Sequence, residues 1–411
     1  MKSSKFRIFT WSLYDFANTI FSLNVVSLYF PIMIKSVYKG PDLALSVARS
    51  ASMLMVAISM PLAGVAADRL RRRMPFTIFF TLVCCLATFL LGKHELMLMQ
   101  LVLFAIAIYC YQAALVFYDA VLPQLTSPQQ MGRVSGYGVA LGYMGSIFSL
   151  AVIPLFARST DYSQIFTWTA ALFLVFAVPF FLTVRDQSPL PVQRIWKLAF
   201  ESAKRISVIL RDAKSSPGLL RLFVARFFIV EALETIIFFM GTFLYEAAGF
   251  SNVRTIVGNF DEIRVYFLVV TIFTAAGSLA WGFVTDRLGP RNSLIGAVVL
   301  WVVTLASLIF TANKGVYYVL GSLAGISLGG VWTTERPLLI NLVSNNERLA
   351  EYFGFFALTG RMAAVIGPII WGVTVWIFGP LGTIKYRFAV GSVLLMMITG
   401  LVILRKVPDA R

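Results

Sequence analysis

The sequence predicts an all-α integral membrane protein with twelve transmembrane helices in two pseudo-symmetric six-helix halves. Three observations predict it: the composition, the length of the apolar runs and a repeat between the two halves. Of the 411 residues, 59% are hydrophobic and 13% are charged, whereas a soluble domain has roughly 25% charged residues. Such a chain cannot cover a globular surface with polar groups. Its apolar runs of about 20 residues match a hydrocarbon layer of ~30 Å.

The apolar runs define twelve predicted spans, and one long polar stretch separates the first six from the last six. The spans lie at residues 9–34, 46–67, 75–92, 96–122, 134–157, 165–184, 219–248, 263–285, 291–312, 315–343, 350–378 and 383–404. The predicted division is therefore residues 1–184 for the first half, 185–218 for a cytoplasmic linker and 219–411 for the second half. Apolar residues at helical spacing from Val192 to Leu210 predict an amphipathic helix on the membrane surface, and a solvated linker is the alternative.

The basic residues predict the orientation. With both termini in the cytoplasm, and with basic residues near a span end counted on the adjoining side, 22 of the 35 lysines and arginines fall on the inner side and 10 on the outer side. The other three lie deeper within spans. An excess of Lys and Arg in cytoplasmic loops orients membrane proteins. The formal charge of +16 is therefore interpreted as a topological signal, and no nucleic-acid partner is expected. The short loops and tails favour a bacterial inner membrane.

The two halves repeat each other at an offset of 216–218 residues. Each matching block contains an acidic residue or a glycine. The blocks are Gly64–Arg69 with Gly282–Arg287, Tyr118-Asp119 with Thr334-Glu335, Gly138 with Gly354, and Asp15–Ile20 with Glu231–Ile236. Two parallel six-helix repeats with a site near the membrane midplane are typical of secondary transporters.

The loop after the second predicted span contains a specific motif, Gly64-x-x-x-Asp68-Arg69-x-x-Arg72-Arg73. It resembles the signature of the major facilitator superfamily, G-x-x-x-D-R-x-x-R-R, at every specified position. The second copy keeps the glycine, the aspartate and the first arginine. This resemblance implies the major facilitator fold. It also implies that the aspartate latches onto the facing half while the cytoplasmic side is shut.

Three further blocks resemble the vacuole effluxer family, which is known from fungal vacuoles and from bacterial relatives. They are Trp11–Thr19, the pair Phe117–Pro123 and Gly132–Gly138, and Glu351–Gly360. The chain departs from many members in having Arg361 in place of a lysine, and it is shorter than the fungal proteins. Because the fungal members export neutral amino acids, the resemblance implies amino-acid transport with export favoured.

Polar residues within the predicted first and seventh spans are the candidates for substrate and proton binding. An ionisable side chain at mid-depth in a membrane costs at least ~2.5–3.5 kcal/mol, so it marks a function by default. Because these two helices line the central cavity in the superfamily that the chain resembles, we expect one polar cluster there. The candidates are Tyr14, Asp15, Asn18, Arg226, Glu231 and Glu234. The alternative is that the acids form fixed ion pairs with Arg226 or Arg361, which hold the halves together.

Glu231 and Glu234 suggest the chemistry of the cluster. Burial disfavours the charged form of a carboxyl group, and two acids three residues apart on one helix face strengthen that effect. Such a group can take up and release a proton near neutral pH, and an arginine or an ammonium group of a substrate can displace the proton. The sequence therefore predicts proton coupling by competition, with Glu231 as the first candidate.

A second set of charged residues lies toward the predicted cytoplasmic ends of the spans. We expect these residues to form gate pairs that close when the site faces out and break when it faces in. Simple solvation at the membrane interface is the alternative. The candidates are Asp68, Arg69, Arg72, Asp119, Arg133, Asp286, Arg287, Glu335, Arg336 and Arg361.

Glycines four residues apart, at 138–142 and at 321–329, predict close helix packing.

Together these features predict an ion-coupled secondary transporter, with the proton as the expected ion, that moves a small polar or zwitterionic solute by alternating access. One alternative cargo is an amphiphile such as a lipid, a drug or a cell-wall fragment. Another alternative is a solute sensor or scaffold that does not transport. An enzyme is not expected, because the chain has one histidine and lacks nucleotide-binding and nucleophile-elbow motifs. We expect no metal and no cofactor, and a monomer that acts in the lipid bilayer.

Overall fold

The structure, a computed structural model, consists almost entirely of long helices. It describes residues 4–70, 73–126, 131–158, 160–185, 217–251, 255–257, 260–343 and 349–408. The long helices are α1, made of the continuous segments Ser4–Phe21, Ser22–Tyr29 and Phe30–Ser36, then α2 (Asp42–Leu70), α3 (Met74–Leu90), α4 (Met97–Asp119), α5 (Met131–Phe156), α6 (Tyr162–Thr183), α7 (Pro217–Glu246), α8 (Glu262–Leu288), α9 (Pro290–Phe310), α10 (Lys314–Leu342), α11 (Leu349–Ile377) and α12 (Lys385–Leu404). A small antiparallel hairpin, β1 (Thr255–Val257) and β2 (Phe260–Asp261), precedes α8.

Ten of the described helices are long and apolar enough to cross a membrane. Of the other two long helices, α3 is apolar but has only 17 residues. The other, α7, has 30 residues and carries Arg221, Arg226, Glu231 and Glu234 in its sequence. The predicted all-helical membrane architecture is confirmed. The orientation of the termini stays a prediction.

The chain divides into two compact units. Unit 1 contains residues 1–40, 51–202 and 252–261, and unit 2 contains residues 41–50, 203–251 and 262–411. The start of α2 therefore groups with the helices of the second half of the sequence. The predicted linker helix at 192–210 lies outside the described residues.

In unit 1, α1 packs against α5 and α6, and α3 packs against α4 and α6. Aromatic residues tie α1 to α4, since the rings of Trp11 and Tyr118 stack with centroids 4.7 Å apart. The Tyr118 hydroxyl donates to the Trp11 carbonyl at 3.0 Å, and the Trp11 indole N–H donates to the Tyr118 carbonyl at 3.4 Å. Each residue thus satisfies a polar group of the other inside an apolar core.

The middle of α1 is a π-helix over Ser22–Tyr29. Its wider turn is rare and often occurs at functional sites. Within it, the Asn24 side-chain amide donates to the Ile20 carbonyl at 2.8 Å. This contact gives the buried amide nitrogen a backbone partner where the α-helical hydrogen-bond pattern changes.

Glycines bring helix backbones together in both units. In unit 1, Gly142 and Gly145 of α5 lie against α1, and the Thr19 hydroxyl donates to the Gly142 carbonyl at 2.5 Å. In unit 2, a Cβ placed on Gly325 of α10 would lie 2.5 Å from the Val270 carbonyl oxygen of α8. Gly321 and Gly329 of α10 contact α8 in the same way. The close packing predicted from the glycine spacing is confirmed.

The first prediction concerns the α1–α5 contact. Gly145→Ala should lower the free energy of unfolding by about 1–3 kcal/mol, because the new methyl group would collide with the Phe16 carbonyl and overpack the contact. The matched control is Gly136→Ala on the same helix, where an added Cβ has no atom within 4 Å. Thermal unfolding of the purified variants in detergent measures the difference, and equal unfolding temperatures would contradict the described packing.

Candidate functional site

The candidate site lies in unit 2, where α7 carries two acidic residues. Glu231 and Glu234 are three residues apart and therefore point within about 60° of each other around the helix axis. α7 packs against α11 and α12. The start of α2 also belongs to this unit.

Glu231 is buried, with 2% of its surface exposed. One carboxylate oxygen, Oε1, accepts a hydrogen bond from the backbone N–H of Gly367 in α11. The other oxygen, Oε2, is buried and has no hydrogen-bond partner among the described residues. Leaving a buried polar oxygen unpaired costs about 1–3 kcal/mol, and more when the group is charged.

The absence of a side chain at Gly367 allows the contact with Glu231. Gly367 lies within α11, directly before Pro368. A Cβ at Gly367 would lie 2.8 Å from Glu231 Oε1. The glycine therefore lets the carboxylate approach the backbone.

Glu234 forms an ion pair with Arg49 of α2, with 2.6 Å between Glu234 Oε2 and the Arg49 Nη2. The Arg49 guanidinium also lies over the Phe238 ring, 4.4 Å from its centroid. Arg49 is near enough to Glu231 for their charges to interact, as is Glu234. Three charged side chains, Arg49, Glu231 and Glu234, thus form one group, which we call the charge triad.

Sequence reasoning missed Arg49. An arginine at the end of a predicted span counts there as part of the basic residues on the outer side, and nothing local indicates a partner 185 residues away. The position of Arg49 inside the apolar run 46–67 could have indicated its importance, because an ionised side chain there needs a partner.

Further contacts hold the start of α2 in unit 2. The Tyr386 hydroxyl of α12 donates to Asp42 at 3.0 Å, and the Ser50 hydroxyl donates to the Val365 carbonyl of α11 at 2.6 Å. Ser46 packs against Gly372, which leaves room for it on α11. These contacts position Arg49 against α7.

Arg226 has a different partner from the one that the sequence suggests. Side chains five residues apart on a helix point about 140° apart, so Arg226 and Glu231 meet different neighbours. The Arg226 guanidinium binds Glu335 of α10 at 3.0 Å, the Phe356 carbonyl at 2.8 Å and the Thr359 hydroxyl at 3.2 Å. The structure therefore pairs a predicted substrate-binding residue with a predicted gating residue.

In unit 1, the predicted residues of α1 have separate environments. Tyr14 is fully buried, and its hydroxyl shares a hydrogen bond of 2.6 Å with the Thr81 hydroxyl. Asp15 lies against Gly138 of α5. Asn18 is buried, and neither its side-chain oxygen nor its side-chain nitrogen has a partner among the described residues. The predicted grouping of these residues with those of α7 stays a prediction.

The remaining gating candidates lie mainly at helix ends or have side chains that are not described. Asp119 is the last residue of α4 and is exposed, and Asp286 and Arg287 are exposed in the last turn of α8. Arg336 on α10 is exposed, and Arg361 on α11 is partly buried. Arg72 and the side chains of Asp68, Arg69 and Arg133 lie outside the described residues. Their gating roles stay predictions.

The family of the chain follows from comparison with known proteins. Residues 44–411 match the model of the family described as vacuole effluxer Atg22 like. The chain belongs to this family. The resemblance found in the sequence motifs is confirmed, and the matched region includes the whole charge triad.

Two relatives illustrate the similarity, and one of them is named as a transporter. The chain is 27% identical to the MFS-type transporter YxiO of Bacillus subtilis over 97% of this chain and 94% of that protein. It is 26% identical to autophagy-related protein 22 of Yarrowia lipolytica over 59% of this chain and 45% of that protein.

Solved structures show the same fold. A bacterial homologue of the human lysosomal transporter Spinster is 14% identical, with a TM-score of 0.74 over 98% of this chain and 97% of that chain. The nucleoside transporter NupG is 15% identical, with a TM-score of 0.71 over 97% of this chain and 98% of that chain. The protein is a membrane transporter of the MFS type.

The second prediction concerns the buried pair of Arg226 and Glu335. Glu335→Ala should lower the free energy of unfolding by about 3–5 kcal/mol, because it leaves a buried guanidinium without its counter-charge. Lys314→Ala is the comparison, since the Lys314–Glu262 pair has a half-exposed lysine and should contribute at most about 1 kcal/mol. Thermal or denaturant unfolding checks the order. A larger loss for Lys314→Ala would contradict this assignment.

Proposed function

We propose that this protein is a proton-coupled secondary transporter that moves a small polar or zwitterionic solute, such as a neutral amino acid, by alternating access. The observation that carries the proposal is the state of Glu231. It is a buried acid in a helix of a membrane transporter, with one oxygen on a backbone N–H and the other without a described partner. Family membership supports transport itself.

The charges around Glu231 favour a proton as the coupling ion. Arg49 and Glu234 form an ion pair, so their charges largely cancel. A third charge, that of an ionised Glu231, would remain in a low-dielectric environment, where an isolated charge is strongly disfavoured. A proton on Glu231 removes that charge and makes the carboxyl group a hydrogen-bond donor.

Transport then requires a group that can replace the proton. An ammonium group of a solute supplies a positive charge for an ionised Glu231 and so can displace the proton by competition. Buried ionisable residues in membrane helices commonly form proton relays and substrate pathways. Proton and solute would therefore bind alternately, which is the condition for exchange.

The direction and location are part of the same proposal. The family description as vacuole effluxers supports export. The short predicted loops support a bacterial inner membrane. A monomer is sufficient if the charge triad is the binding site, since all three residues belong to one chain.

The third prediction is solute-dependent proton movement that depends on Glu231. Purified protein in sealed proteoliposomes with a trapped pH dye is given pools of neutral amino acids and then amphiphiles. Wild type should change the internal pH with a pool of neutral amino acids, and Glu231→Gln should reduce the initial rate at least tenfold, because the amide cannot exchange a proton. Glu246→Gln, on the same helix but outside the triad, is the matched control and should retain the rate.

Three outcomes would change the proposal. If Glu231→Gln keeps full proton-coupled flux while Asp68→Asn abolishes it, the proposal of proton coupling through the Glu231 carboxylate is wrong. The proposal of alternating access is then unaffected. A response only to amphiphiles would replace the solute class. If folded protein produces no change in internal pH with either pool, proton-coupled transport of either cargo is contradicted. A sensor or another coupling ion would then be favoured.

A further inference from the structure

Two ion pairs among the described residues of unit 2 differ in how far their side chains are exposed. In the Arg226–Glu335 pair, the side chains are 8% and 5% exposed. In the Arg49–Glu234 pair, the arginine is 5% exposed and the glutamate is 31% exposed. The first pair is closed on both sides. In the second, part of the Glu234 side chain is exposed, so an incoming molecule can reach it.

We propose that Arg49 is the residue that selects the solute, because it binds the solute's carboxylate group in exchange for Glu234. This inference rests on the proposed transport function and adds a specificity rule to it. A guanidinium binds a carboxylate through two parallel hydrogen bonds, a geometry that a lysine cannot reproduce. Stacking on the Phe238 ring, at 4.4 Å, holds the plane of the Arg49 guanidinium in place.

The charges of the pair determine which solutes can enter. A solute with only a carboxylate would take Arg49 and leave Glu234 without its counter-charge. A solute with only an ammonium group would take Glu234 and leave the buried Arg49 without its own. Breaking a buried pair by removing one partner is strongly destabilising. A zwitterion supplies a partner to both residues, so it replaces one internal ion pair with two.

Glu231 completes this arrangement without competing for Arg49. It lies about one turn before Glu234 on α7, and its Oε1 accepts a hydrogen bond from the Gly367 backbone N–H of α11. While Glu231 holds a proton, Arg49 and Glu234 balance each other. When Glu231 is ionised, the extra negative charge favours the ammonium end of the solute over the carboxylate end. Arg49 then has the separate role of requiring the carboxylate.

The fourth prediction tests the specificity rule by direct binding, which needs no net proton movement. The probes are valine and phenylalanine, their methyl esters, which lack the carboxylate, and 3-methylbutanoate and 3-phenylpropanoate, which lack the amine. Ligand-induced thermal stabilisation of the purified full chain gives each affinity. We expect wild type to bind at least one of the two amino acids at least tenfold more tightly than either of its analogues.

Arg49→Gln should remove that preference. The ratio of amino acid to methyl ester affinity should fall at least tenfold, to about one, because the carboxylate has lost its guanidinium and the ester no longer separates Glu234 from a buried arginine. Arg49→Lys keeps the charge, which guards against a folding defect, and should give an intermediate loss because it lacks the two-pronged geometry. Arg158→Gln, an exposed arginine of unit 1, is the matched control and should leave all affinities unchanged.

The outcomes separate this inference from the transport proposal. An unchanged ratio of amino acid to ester affinity in Arg49→Gln would overturn the role of Arg49, even if proton-coupled transport is observed. Wild-type binding of the esters as tightly as the amino acids would overturn it as well, and so would an absence of binding by all six probes. If the preference for the amino acid over its analogues depends on Arg49 but no proton movement is observed, this inference is supported. Only the proposal of proton coupling is then wrong.

Discussion

The structure depends on one constraint: an ionised side chain inside an apolar helix must find a partner within the protein. Water cannot serve that role in the hydrocarbon, and an unpaired charge there is costly. Unit 2 meets the constraint in three ways. Arg226 pairs with Glu335, Arg49 pairs with Glu234, and Glu231 uses a backbone N–H of α11 for one of its oxygens. These contacts hold the start of α2 and the helices α7, α10 and α11 together within unit 2.

Small residues make those contacts possible. A glycine lets two helix backbones approach because it has no Cβ, and this is how Gly325 places α10 against α8. At Gly367 the same property has a chemical consequence, because the carboxylate of Glu231 reaches the backbone directly. The packing that stabilises the helix pair and the geometry of the candidate site therefore have the same origin, the absence of a side chain at a glycine.

The two repeats share one contact between an acidic residue and a glycine, and they differ in other contacts between their helices. In unit 1, the acid of α1, Asp15, lies against Gly138 of α5, and in unit 2, Glu231 of α7 lies against Gly367 of α11. Elsewhere the repeats differ. Stacked aromatic residues join α1 to α4 in unit 1, whereas an arginine–glutamate pair joins α7 to α10 in unit 2.

The sequence by itself determined the membrane fold, the family and the two acids of α7. These follow from local properties, since the length of an apolar run, a motif and the cost of a charge in that run do not depend on distant residues. Only the tertiary structure decided the partners. Glu234 meets Arg49 across 185 residues of sequence, and Glu231 meets Gly367 across 136. Helical periodicity shows which face of α7 carries the acids, but the helix that packs against that face is chosen by the whole fold.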